Sequence, residues 1–149
     1  MHASRILPPV YFLGALLLAV ALHYALPLAQ VIPRPWHLVG VLLIAIGMIL
    51  IVVPARTFKA RDTAIKPFDV SSVLVQDGFF SISRNPMYLG MVLVLLGVAT
   101  LLRSATPFVV SALLAVVLQT RFIRHEEQML ESTFGEDYRS YRKRVRRWL

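Results

Sequence analysis

The sequence contains no cysteine. That removes disulfides, thiolate nucleophiles and cysteine-ligated metals at once. Its four histidines, His2, His23, His37 and His125, include no pair at the helical spacing a zinc site uses, so no metal site is expected. No Gly-x-Gly-x-x-Gly occurs, which excludes a Rossmann-type nucleotide loop. Acidic residues are scarce, eight against 16 basic, and the formal net charge is +8. Apolar sequence takes up the chain instead. Of its 149 residues, 57% are hydrophobic, more than one soluble domain needs for a core.

Four apolar runs stand out, at 10–29, 36–55, 87–102 and 107–123. A membrane span needs about 20 residues, within a range of about 17–25. The first two runs meet that length, and the first reads as an uncleaved anchor. The last two are shorter and are separated only by Arg103, Ser104, Ala105 and Thr106. They read as a tight hairpin in which Thr106 caps a helix beginning at Pro107. With the N-terminus cytoplasmic, Arg34 and Arg103 alone among the 16 basic residues fall outside. That bias places both termini on the cytoplasmic side of the cell (inner) membrane. The basic balance is thereby accounted for, and no nucleic-acid partner is expected. The expected fold is all-α and integral to the membrane, a single domain over 1–149. It has four transmembrane helices and a C-terminal amphipathic helix at the interface.

Within this frame His23 and Tyr24 read as interfacial or interhelical hydrogen-bonding groups. Gly40 and Gly47 share a helical face that permits close packing. Pro54 is expected to end or kink the second span. The inside loop 56–77 mixes charges with Phe58, Phe68, Val73 and Leu74, and is expected to fold over the cytoplasmic mouth of the helices.

The stretch 78–90 looks like the organising one. Asn85 is a favoured helix N-cap and Pro86 suits the first helical position. A helix N-terminus with Arg84 beside it suits a carboxylate or phosphate. A second reading, of cap, interfacial Tyr88 and positive-inside Arg84, covers the same residues. The fourth helix is expected to run on to Phe134 and stop at Gly135. On that extension α-helical spacing sets Glu126 with Phe122, Met129 and Thr133 on an apolar face, where a carboxylate is costly unless it binds something. Glu127 reads either as an exposed partner of Arg124 or as a functional acid. Beyond it, Tyr138, Tyr141, Val145 and Trp148 form one stripe. Arg139, Arg142, Lys143, Arg146 and Arg147 form the opposite, basic one. An interfacial helix follows, its basic face either anchored on anionic headgroups or recognising substrate.

Taken in order, these parts resemble the isoprenylcysteine carboxyl methyltransferase family and related phospholipid methyltransferases. The pattern is Gly78, Phe80, Arg84, Asn85, Pro86, Met87, Tyr88, Leu89 and Gly90, then Glu126 and Glu127. Phe134, Gly135, Tyr138, Tyr141 and Val145 complete it. The 61–67 stretch and Leu74, Val75 and Gly78 resemble the loop of the prokaryotic members. The likeness covers 56–149. It implies S-adenosylmethionine as methyl donor, in a cytoplasmic pocket closed by the C-terminal segment. Arg84, Asn85 and Tyr88 would line the cofactor's amino-acid end. Glu126 and Glu127 would meet its ammonium or ribose hydroxyls, and Tyr138 and Tyr141 would help close the pocket. Three positions depart from the family pattern: Asn85 replaces a common His, Phe80 a common Tyr and Phe122 a common Arg.

The implied reaction is an in-line methyl transfer to a lipophilic or membrane-embedded acceptor. A carboxylate or thiolate acceptor needs no base, whereas a protonated amine does, and Glu126 could supply it. Two rivals stand beside this reading. One is a sterol-reductase-like, NADPH-dependent membrane oxidoreductase, which shares an Arg-x-Pro-x-Tyr segment. That class carries an acid where this chain has Met91. The other is a non-catalytic membrane scaffold, which leaves Glu126 unexplained.

Overall fold

The computed structural model describes residues 7–26, 28–61 and 73–149. Residues 62–72 of the inside loop, with Phe68, lie outside the described residues, while Phe58, Val73 and Leu74, expected with it to fold over the mouth, line the cavity described below. Six α-helices are described: α1 Pro8–Ala25, α2 Val39–Ala60, α3 Pro86–Leu102, α4 Ala105–Leu118, α5 Arg124–Phe134 and α6 Glu136–Arg144. Pro8 and Pro86 stand at helix starts, where the missing N–H removes no bond. A 3₁₀ turn, Trp36–Leu38, leads into α2, and a second, Gly78–Ser81, precedes α3. A π-helical turn, Gln119–Ile123, joins α4 to α5 without a break.

The fold is that of an integral membrane protein. Three continuous helical stretches among the described residues, Pro8–Ala25, Trp36–Ala60 and Ala105–Phe134, are long and apolar enough to cross a membrane. The remaining apolar helix, Pro86–Leu102, has 17 residues and is shorter than these. The stretch Ala105–Phe134 has 30 residues. At about 1.5 Å per residue it outruns a hydrocarbon layer of about 30 Å. Its polar end, α5, therefore stands beyond the spanning part, which stops near Ile123.

Pro54 does not end the second span. It is buried inside α2, which continues to Ala60. A proline in an apolar helix frees a single carbonyl and is tolerated where neighbours absorb the change. The hydroxyl of Thr57 donates to the carbonyl of Val53 (3.1 Å) in the same turn.

α2 and α3 run antiparallel through two glycine crossings. A Cβ on Gly47 would meet the carbonyl oxygen of Gly90 at 2.7 Å, and one on Gly97 would meet that of Gly40 at 2.6 Å. Lipid tails are as apolar as leucine, so helix association there relies on close packing, which small residues permit. The opposite face of α3 meets α4 and α1 in a core of Leu95, Leu118, Phe122 and Ile123, with Ala19 from α1.

At the end of the bundle away from α5 and α6, polar side chains bind the loops. His23 Nδ1 and Ser104 Oγ are 2.7 Å apart, and Thr106 donates to the carbonyl of Leu26 (2.9 Å). His23 thus has the interhelical role expected of it. Thr106 is not the cap of α4. The helix begins at Ala105, Ser104 takes the N-cap position, and Pro107 lies within the first turn. Arg103, in the left-handed region, donates to the carbonyl of Ile32 (2.9 Å) and to Gln30 Oε1 (3.1 Å).

Gly135 ends α5 with φ of +53°, a conformation open to glycine. The chain turns there into α6. This helix does not lay its apolar stripe on the bilayer. Tyr138, Tyr141 and Val145 are buried against Leu74, Leu130 and Phe134. The helix stops at Arg144, and Val145 is extended, so Trp148 leaves the stripe and packs on the main core.

Candidate functional site

The site forms where α3 begins. Asn85 occupies the N-cap position, but its side chain makes no cap. Its Nδ2 instead donates to the carbonyl of Arg147 (3.0 Å), while its backbone N–H donates to Ser83 Oγ (3.1 Å). The backbone N–H of Arg84 donates to the carbonyl of Arg146 (3.0 Å). The final residues thus lie along the lead-in to α3. One turn further on, the hydroxyl of Tyr88 donates to Glu126 Oε1 (2.5 Å).

The two adjacent acids differ sharply. Glu127 is not the exposed partner of Arg124. It is buried, 7% exposed, between two other arginines. Its Oε1 is ion-paired with Arg84 Nη1 (3.1 Å) and accepts from Arg147 Nε (3.0 Å), and its Oε2 accepts from Arg147 Nη2 (2.6 Å). The π turn explains the difference. Its wider winding rotates everything after Ile123, so Glu127 rather than Glu126 follows the buried face of Phe122. Thr133 is exposed, which breaks the expected apolar face at its far end, while Met129 stays half-buried. Glu126 is half-buried beside Tyr88. Burial of its carboxyl raises its pKa to about 7, against the lowering effect of the Tyr88 hydrogen bond and with help from the charge on Glu127.

α6 supplies the far wall. Arg84 Nη1 also reaches the hydroxyl of Tyr138 (3.2 Å), and Tyr141 donates to the carbonyl of Phe80 (2.6 Å). Both phenols titrate above the usual tyrosine range. Burial is the main cause, followed by the carboxylate of Glu127 at Tyr138 and by Tyr138 itself at Tyr141.

These groups surround one cavity of about 230 Å³. All seven residues singled out in the sequence line it: Arg84, Asn85, Tyr88, Glu126, Glu127, Tyr138 and Tyr141. Phe58, Phe80 and Leu74 border it, and an apolar side is formed by Leu7, Pro8 and Pro9 at the start of α1 with Met87 and Met91 of α3. Buried Arg84 Nε has no partner among the described residues. An unpaired buried donor is costly, and a ligand acceptor would relieve it. No group of acidic or histidine side chains among the described residues could hold a metal.

The sequence reading missed Arg147, which it assigned to the basic face. The contact spans 20 positions and no motif spacing encodes it. It also missed Leu7, Pro8 and Pro9, which carry no signal beyond apolarity. Of the three departures, Phe122 is buried against the rings of Tyr11 and Tyr88, and Phe80 meets Phe58 edge-on at 5.1 Å. Arg121, next to Phe122, is exposed and does not line the cavity.

Comparison with known proteins adds a family. A family model described as phospholipid methyltransferase matches residues 35–137. An uncharacterized protein of Haemophilus influenzae is 38% identical over 63 residues, which is 42% of this chain and 100% of that protein. The protein-S-isoprenylcysteine O-methyltransferase of Schizosaccharomyces pombe is 40% identical over 76 residues, covering 49% of this chain and 31% of the yeast enzyme. The eukaryotic intramembrane Ras methyltransferase ICMT (isoprenylcysteine carboxyl methyltransferase) has a similar fold. Its TM-score is 0.69 at 22% identity, over 97% of this chain and 52% of that one. The chain therefore spans about half of that solved structure and about a third of the yeast enzyme.

Proposed function

The chain belongs to the phospholipid methyltransferase family, and from that premise we propose that it uses S-adenosylmethionine to methylate a lipophilic or membrane-embedded acceptor at the cytoplasmic face. One observation carries the reading. Residues from three sequence regions line a single cavity, with a buried arginine donor and a half-buried carboxylate among them.

The residues present fit that cofactor. Arg84 Nε, unpaired among the described residues, is a donor for its carboxylate. Glu126 is an acceptor for its ammonium or ribose hydroxyls, and Tyr88 orients Glu126. Glu127 is already held by two arginines and acts through Arg84. Asn85 fastens the C-terminal segment, and Tyr138 and Tyr141 wall the cavity. When bound, the cofactor supplies an electrophilic methyl group on a sulfonium. The protein aligns the acceptor in line with it and excludes water. A carboxylate or thiolate acceptor needs no base. For an amine, Glu126 takes the proton, and its raised pKa suits that task.

The apolar side formed by Leu7, Pro8, Pro9, Met87 and Met91 supports entry of a lipophilic acceptor from the bilayer. The charge bias along the sequence supports cytoplasmic termini in the inner membrane. Lys143 and Arg146, both exposed, are available to anionic headgroups.

Thermal melting of the purified protein tests the cofactor. S-adenosylhomocysteine should raise the melting temperature and NADPH should not, since a ligand that binds only the folded state stabilises it. Stabilisation by NADPH alone would overturn the reading.

A further inference from the structure

The three charged groups at the heart of the site are arranged asymmetrically. Glu127 offers two oxygens. Arg147 takes both, with Nε on Oε1 (3.0 Å) and Nη2 on Oε2 (2.6 Å). Arg84 shares only Oε1, through Nη1 alone (3.1 Å). The guanidinium of Arg84 is thus held end-on, its Nη1 also reaching Tyr138, and its Nε is left without a partner among the described residues. A two-pronged arginine–carboxylate contact is the stronger geometry, and a buried unpaired N–H is costly. Left alone with Glu127, Arg84 would close its own fork on the carboxylate and withdraw its Nε. Arg147 already holds both oxygens with its own fork, so the two-pronged edge of the carboxylate is taken and Arg84 meets a single oxygen.

We propose that Arg147 is a positioning residue that keeps Arg84 end-on, so that Arg84 Nε stays available to an anionic group of the ligand. The proposal rests on the cofactor reading above and adds a residue that no motif contains. The backbone is suited to the task. The carbonyl of Arg147 accepts from Asn85 (3.0 Å), that of Arg146 accepts from the N–H of Arg84 (3.0 Å), and Trp148 Nε1 donates to Gln119 (2.9 Å). These bonds fasten the segment without the Arg147 side chain. Truncating that side chain therefore removes the fork and leaves the segment docked.

The test compares wild type, Arg147→Ala and Arg147→Lys in detergent, in a Trp36→Phe background that leaves Trp148 as the sole indole. Calorimetry with S-adenosylhomocysteine gives the affinity, and Trp148 emission reports docking of the segment. For Arg147→Ala the dissociation constant should rise about tenfold, the size of one hydrogen bond to a charged group, with emission unchanged. Arg147→Lys, which fills one oxygen but cannot fork, should fall between. Equal affinity in wild type and Arg147→Ala would overturn the assignment while leaving the cofactor reading intact. So would a loss of affinity accompanied by a red shift of Trp148, which would make Arg147 a mere anchor of the segment. A wild type that does not bind S-adenosylhomocysteine would overturn the cofactor reading and this assignment with it.

Discussion

Two interfaces hold this molecule together on opposite terms. Along α2 and α3, backbone meets backbone at Gly40 with Gly97 and at Gly47 with Gly90, and the nearest side chains are those of Ile44, Ile51, Val94 and Leu101. Around the start of α3, polar bonds tie distant segments together. Arg84, Glu127 and Arg147 form an ion-paired chain, and Asn85, Tyr88 and Tyr141 each make a named bond to a distant segment. In lipid the first kind of interface gains from nearness alone, so it tolerates nothing larger than hydrogen at the crossing. The second tolerates no charge left without its partner. Shape governs the spanning part, and charge balance governs the site.

The largest expected effect falls on the charged interface. Glu127→Ala leaves Arg84, whose side chain is 9% exposed, without its counter-ion. Removing one member of a buried pair costs about 3–5 kcal/mol. The melting temperature should fall markedly, and an unchanged value would show that the site adds nothing to stability. The glycine seam comes next. Gly47→Val places new atoms against the backbone of Gly90 and Val94, at 2.7 and 2.9 Å already for the Cβ. Overpacking of this kind costs about 1–3 kcal/mol. Gly14→Val is the control, because nothing lies within 4 Å of a Cβ there. Equal melting of the two variants would break the claim that nearness holds the seam.

The same contrast separates what could be read in the sequence from what could not. The seam was legible in part, because Gly40 and Gly47 fall on one face of a long apolar run. The stop at Gly135 was legible because glycine reaches positive φ at little cost. The seven cavity residues were legible through an ordered set of motifs. Of the two readings of Pro54, that it ends the span fails, because a proline inside an apolar helix is tolerated where neighbouring groups absorb the freed carbonyl. Of the two readings of Glu127, the exposed pair with Arg124 fails, because 3.6-residue spacing cannot foresee a π turn at 119–123. The stripe Tyr138, Tyr141 and Val145 was identified correctly and given the wrong surface to cover, since periodicity marks an apolar face and does not name what buries it. Arg147 could not be found at all, because its role depends on contacts with residues 20 and more than 60 positions away.

Glu126 gives the smallest effect on folding and the sharpest division between the two interfaces. It lies in the charged region, yet the partner that donates to it is the phenol of Tyr88 rather than a cation. Burial lifts its pKa from 4.5 to about 7. The sign follows directly. The ligand-free folded state binds the proton more tightly than the unfolded chain does, so this stabilisation is fully present below about pH 4.5. It is lost as the pH rises through about 7. Glu126→Gln keeps an acceptor for Tyr88 and removes the titration. Wild type and variant should therefore melt together near pH 4.5, and the variant should melt higher at pH 8. Methyl transfer should be sharply reduced in the variant at pH 8, because a neutral amide cannot balance a cationic ligand or accept a proton, and the gap should narrow below about pH 7, where the wild-type carboxyl is itself protonated. Glu126 would then be a residue kept for chemistry at a small expense in stability, unlike its neighbour Glu127, which the fold itself requires. A variant that melts well below wild type at every pH, yet binds S-adenosylhomocysteine as tightly, would place Glu126 with Glu127 among the groups that hold the fold.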